Sequence, residues 1–136
     1  MSNFPITIFH NPACGTSRNT LAMVQAAGYE PEVIEYLHAG WTKPQLQELL
    51  AAMGAKPRDI LRDKGTPAAE LGLLDDGVRD ETLLDAMIEH PMLVNRPIVV
   101  TPKGVKLARP SEVVLELLDK KPTHFTKEEG EIVPLN

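Results

Sequence analysis

The chain contains one cysteine, Cys14. A lone cysteine forms no internal disulfide, and it excludes a Cys-rich zinc site. What remains is a small buried hydrophobe or a nucleophile, and the setting decides between them. Cys14 falls between an apolar run, Ile6-Thr7-Ile8-Phe9, and a helix expected to open at Gly15-Thr16-Ser17. At that point free backbone N–H groups and the positive end of the helix dipole stabilise a thiolate. Such settings lower a thiol pKa to roughly 3.5–7.5. Pro12, Ala13, Gly15 and Thr16 are small or turn-forming, as an exposed loop requires. The setting therefore favours a reactive Cys14.

Cys14 to Ser17 reads Cys-x-x-Ser, so Ser17 stands where a two-cysteine redox motif has its second thiol. A serine cannot resolve a disulfide. Its hydroxyl either donates to the thiolate or simply opens the helix. A phosphatase-type loop would carry Arg six residues after the cysteine, and Thr20 occupies that position. His10 lies four residues before Cys14. It is either an imidazolium beside the thiolate or a group that orients the loop. His38, His90 and His124 have no metal-ligand spacing, so no metal site is expected.

The elements that must position these residues follow from periodicity. Ile6–Phe9 is an expected strand. Leu21, Val24 and Ala27 recur at helical spacing, stopped by Gly28, and Val33-Ile34-Glu35-Tyr36 is a second strand. Thr42 with Gln45 has the form of a capping box, before Leu46, Leu49, Leu50 and Met53 on one face. Pro57 starts a short helix expected to reach Arg62, and Leu83, Leu84, Met87 and Ile88 mark another, ended by His90-Pro91. Residues 43–90 thus form a helical block. Ile98-Val99-Val100 and Val105–Ala108 flank a Thr101-Pro102-Lys103-Gly104 turn, and Pro110 opens a last helix through Val113, Val114, Leu117 and Leu118. Residues 119–136 are a polar tail. The order gives a βαβ unit and a ββα unit on one mixed sheet. That is an α/β, thioredoxin-like single domain over 1–118, with the helical block inserted between the halves.

Within that arrangement three arginines stand out. Arg96 precedes Pro97 and a strand, and Arg109 follows that strand's hairpin partner, so both leave the hairpin at one end. In a thioredoxin-like fold this end faces the cysteine loop. Arg62 closes the short helix and either leans over the same cleft or solvates a face. Three guanidinium groups around a thiolate would suit a tetrahedral oxyanion.

His10-Asn11-Pro12-Ala13-Cys14-Gly15-Thr16-Ser17-Arg18-Asn19-Thr20-Leu21 resembles the active-site segment of the glutathione/glutaredoxin-coupled arsenate reductases. Asn95–Pro102 and Ala108–Val114 resemble the second half of that family's site, and Leu61-Arg62 falls where the family carries its remaining Arg. The resemblance covers roughly residues 5–118. It implies a nucleophilic Cys14 helped by His10 and Ser17, and arsenate held by Arg62, Arg96 and Arg109. It also implies a cis Arg96–Pro97 bond, although only about 5–6% of X–Pro bonds in folded proteins are cis. Relatives of the fold include thiol-stress transcription regulators that bind RNA polymerase, and reductase-like proteins without demonstrated activity. Ser17 and the complete arginine set weigh against the regulators.

Reducing arsenic(V) to arsenic(III) oxidises two thiols, and this chain has one. At least one must come from outside, from glutathione or another small thiol; the resemblance implies glutathione as the co-substrate and glutaredoxin as the partner, with no bound cofactor. Composition agrees with a small enzyme. The chain has 136 residues, 43% of them hydrophobic, enough for one core. A net charge of −5 argues against nucleic-acid binding. No apolar stretch suits a membrane helix, and no basic region precedes an apolar one near Met1, so a cytoplasmic location is expected.

Overall fold

A computed structural model describes residues 4–119, 124–126 and 132–134. Two units are resolved within it, residues 1–35 with 96–136, and residues 36–95.

The first unit begins with β1, Thr7–His10, where β-branched and aromatic side chains favour the extended backbone. Helix α1, Gly15–Ala26, follows directly on Cys14, which is its extended N-cap residue. Gly28 adopts φ 97°, a left-handed conformation that ends the helix at little steric cost. The chain returns as β2, Glu32–Glu35, parallel to β1 with Ile8 opposite Val33. Later in the sequence, β3 (Ile98–Thr101) runs antiparallel to β1, with Ile8 opposite Val99. β4 (Gly104–Leu107) then pairs antiparallel with β3. The sheet order β2-β1-β3-β4 is the mixed, thioredoxin-like arrangement expected from the element order. Ile8 and Val99 bury one face of this sheet against Met23 and Val24 of α1, together with Val114, Leu117 and Leu118. Each such side chain contributes roughly 1.5–3 kcal/mol on leaving water.

The helix expected after Pro110 is a 3-10 helix, Ser111–Leu117, and Pro110 lies just outside it. Its end is tied to the hairpin, because the Thr101 hydroxyl donates to the Leu117 carbonyl at 2.8 Å. The Thr101 hydroxyl oxygen also accepts the Lys103 N–H at 3.1 Å inside the β3–β4 turn. The Arg96–Pro97 bond is cis, as the resemblance implies, and the Arg109–Pro110 bond is cis as well. Much of the 119–136 tail lies outside the described residues. Within it His124–Thr126 (β5) and Ile132–Pro134 (β6) pair antiparallel.

The second unit is helical. Tyr36, expected to end a strand, instead starts α2, Tyr36–Ala39, and its hydroxyl donates to the Val94 carbonyl at 3.0 Å. Helix α3, Lys43–Met53, carries the expected capping box between Thr42 and Gln45, and ends at Gly54 with φ 66°. The helix expected from Pro57 to Arg62 is a shorter 3-10 turn, Pro57–Ile60. Leu61 is taken up by an antiparallel bridge to Val94, and the Arg62 N–H donates to the Leu93 carbonyl at 2.7 Å. Strand-like pairing has displaced the last helical turn. Helix α4, Asp80–Glu89, stops at His90 before Pro91. Among the described residues, no helix is long and apolar enough to cross a membrane.

Candidate active site

The site forms where β1 hands the chain to α1. Asn11 organises the connecting loop. Its side-chain oxygen accepts the Ala13 N–H at 2.9 Å, and its backbone carbonyl accepts the Cys14 N–H at 3.0 Å. Its own N–H donates to the Ser17 hydroxyl oxygen at 3.1 Å. Arg18 braces the outer side of the loop by donating from Nη1 to the Pro12 carbonyl at 2.7 Å. Asn11 is 5% exposed and Cys14 7%.

This loop delivers Cys14 to the N-terminus of α1. Burial is the largest influence on the thiol and acts to raise its pKa. It is outweighed by the backbone amide of Ser17, the charge of Arg96, the Arg109 hydrogen bond and the Thr16 amide, in that order. The thiol therefore titrates below its ordinary value, which increases the share of the reactive thiolate. Arg109 Nη1 lies 3.8 Å from Cys14 Sγ and also donates to the Arg96 carbonyl at 3.0 Å. A guanidinium so placed keeps further N–H donors in one plane, the geometry that matches an oxyanion.

His10, at the end of β1, is buried and lies 2.6 Å from the Ser17 oxygen through Nδ1. Burial is the main force lowering its pKa; Glu35 opposes this, and Arg18 adds to it. The neutral ring is thus favoured over the imidazolium. With Nδ1 unprotonated the Ser17 hydroxyl donates to His10, and in the other neutral tautomer the ring donates to the Ser17 oxygen; in both, that oxygen accepts from Asn11. The Ser17 backbone amide also acts on the sulfur.

Five of the expected or newly found residues, His10, Asn11, Cys14, Ser17 and Arg109, are joined by these contacts, and Arg96 acts on Cys14 through its charge. Arg62 lies in the helical unit, where its Nε donates to the Lys64 carbonyl at 3.0 Å. Asn11 and Arg18 were not singled out from sequence. An Asn two residues before the end of a tight loop is a turn former, and that signal was available for Asn11. Among the described residues no group of three or more His, Cys, Asp or Glu side chains could hold a metal ion.

Residues 9–117 match the ArsC family. The chain is 60% identical over 134 residues to an arsenate reductase of Synechocystis sp., covering 98% of this chain and 93% of that one. It is 54% identical over 134 residues to the arsenate reductase of Escherichia coli strain K12, covering 98% and 94%. Among solved structures, an arsenate reductase from Vibrio cholerae superposes with a TM-score of 0.81 at 39% identity, over 86% of this chain and 100% of that one.

Proposed function

The chain belongs to the ArsC family, and from that premise we propose that it reduces arsenate to arsenite with Cys14 as the nucleophile. The observation that carries this reading is the setting of the only thiol, at the N-terminus of α1 with the Arg109 guanidinium 3.8 Å from its sulfur.

Arsenate is a tetrahedral oxyanion, and Arg96 and Arg109 supply positive charge and planar N–H donors beside the sulfur. Arg62 joins the set on the strength of the Leu61-Arg62 resemblance. The Cys14 thiolate attacks arsenic, and one arsenate oxygen leaves as water after taking up two protons. A glutathione thiol then displaces a second oxygen, again as water, leaving arsenic bonded to both sulfurs. Glutaredoxin thiolate attacks the glutathione sulfur of that adduct. The sulfur–arsenic bond breaks with its electron pair staying on arsenic, which becomes arsenic(III), while a glutaredoxin–glutathione disulfide forms. Hydrolysis of the remaining Cys14–arsenic bond returns the thiol and releases arsenite. Glutathione and glutaredoxin enter because two thiols must be oxidised and the chain has one. The reading expects a cytoplasmic protein, since that compartment keeps thiols reduced. His10 and Ser17 serve by holding the loop and the start of α1 around the sulfur.

A coupled assay tests the reading. Arsenate, glutathione, glutaredoxin, glutathione reductase and NADPH should support continuous NADPH loss only when this protein and arsenate are both present. Loss that is independent of either, or absent altogether, overturns it.

A further inference from the structure

Cys14 is the N-cap residue of α1, and where its sulfur lies relative to the first turn depends on how the loop before it is folded. Four backbone N–H groups matter there. Those of Ala13 and Cys14 turn back to Asn11, onto its side-chain oxygen at 2.9 Å and its carbonyl at 3.0 Å. Those of Thr16 and Ser17 act on the sulfur. We propose that Asn11 is a positioning residue for the Cys14 sulfur: its side-chain oxygen, by closing the turn on Ala13, fixes the loop so that the Thr16 and Ser17 amides meet the sulfur. The inference deepens the reading of Cys14 as the nucleophile and rests on it.

Two further observations support a positioning role over plain packing. Asn11 is almost fully buried in a loop, where an apolar side chain of like size would satisfy packing but leave the Ala13 N–H without its acceptor. The Asn11 backbone N–H also donates to the Ser17 oxygen that contacts His10, so one residue ties the loop to the end of β1 and to the first turn of α1. A shift of the Asn11 turn would move all three together.

Asn11→Ala removes the side-chain acceptor, and Asn11→Ser restores a weaker one, because a serine hydroxyl closes the same turn less strongly. Thiolate absorbance and the rate of iodoacetamide alkylation are followed against pH, with thermal melting and steady-state reduction of arsenate alongside. Asn11→Ala should raise the thiol midpoint by about half a unit to one unit, the size expected for losing one hydrogen bond's worth of order. It should lower kcat about five- to tenfold with KM for arsenate changed less. Asn11→Ser should recover most of both. The idea is overturned if Asn11→Ala lowers the melting temperature but leaves the thiol titration unmoved, or if Asn11→Ser matches Asn11→Ala in the titration. Should Asn11→Ala fail to fold, Asn11→Gly, which also lacks the side-chain acceptor, takes its place, and a midpoint and alkylation rate unchanged from wild type overturn the proposal. The titration uses no arsenate, so it tests positioning even if the reduction assay fails.

Discussion

Arg109 Nη1 stands 3.8 Å from Cys14 Sγ although the two residues are 95 positions apart in the chain. The nitrogen is steadied by the Arg96 carbonyl, at 3.0 Å, so the backbone of one arginine holds the side chain of the other toward the sulfur. Arg96 adds its own charge to the same sulfur. The β3–β4 hairpin makes this possible, because Arg96 enters it and Arg109 leaves it at one end, with the Ala108 N–H closing onto the Pro97 carbonyl at 2.9 Å.

Replacing Cys14 by Ser should abolish reduction while leaving the fold intact. It is the only thiol in the chain, and an oxygen at that position is too weak a nucleophile to replace it. Circular dichroism and the coupled assay check this. Activity above about a tenth of wild type would mean that the chemistry does not pass through Cys14.

Arg109→Lys should reduce kcat/KM for arsenate by about tenfold or more, although it keeps the charge. An ammonium cannot both donate to the Arg96 carbonyl and present a planar fork. Arg109→Ala should in addition move the thiol midpoint up, since the guanidinium hydrogen bond is among the influences that hold it down. The folded thiol titrates below the unfolded one. Its contribution to stability is thus present above the unfolded value, about 8.5, and fades as pH falls through the folded value. Urea midpoints of wild type and Cys14→Ser should differ in slope across that window.

The sheet and the place of Cys14 were legible because each rests on a local signal. β-branched runs give β1 and β3, and Gly28 marks where α1 ends. The Thr42–Gln45 pair gives the start of α3. Less legible were features decided by pairing across the chain. Leu61 leaves the helical pattern because Val94 bridges it, and no periodicity near residue 61 announces residue 94. Val113, Val114, Leu117 and Leu118 recur at α-helical spacing, yet the segment winds as a 3-10 helix that buries Ser111, Val114 and Leu117, three residues apart. In the candidate site, the types of His10, Ser17 and Cys14 were readable. The pairing of Ser17 with His10 was not, because it depends on how the end of β1 meets the first turn of α1.

Thr42→Ala should destabilise α3 by about 1 kcal/mol, the usual cost of a lost N-cap. The Thr42 side chain accepts the Gln45 N–H at 3.2 Å, and the Gln45 side chain accepts the Thr42 N–H at 3.4 Å. Thr42→Ser should retain most of that. Denaturant unfolding measures both, and equal losses in the two variants would rule out the capping bond as the cause.

His10 should make the protein less stable in mild acid. Burial is the main reason its pKa is lowered, Arg18 contributes in the same direction, and Glu35 opposes them without reversing the result. The unfolded chain takes up a proton at this residue near pH 6.5, about the value of a free imidazole, while the folded chain resists it. Between those two values the unfolded state holds more protons, so stability falls as pH falls. The structural cost is specific. Nδ1 and the Ser17 oxygen lie 2.6 Å apart, and an imidazolium can only donate there, to an oxygen already accepting from Asn11. The Ser17 hydroxyl proton must then find another partner at the first turn of α1. His10→Gln does not titrate and offers an amide oxygen in roughly the same direction. Urea midpoints from about pH 7.5 down to about pH 5.5 should therefore decline more steeply for wild type than for His10→Gln. Parallel slopes, or a wild type that gains stability on acidification, would mean that His10 is already an imidazolium in the folded protein.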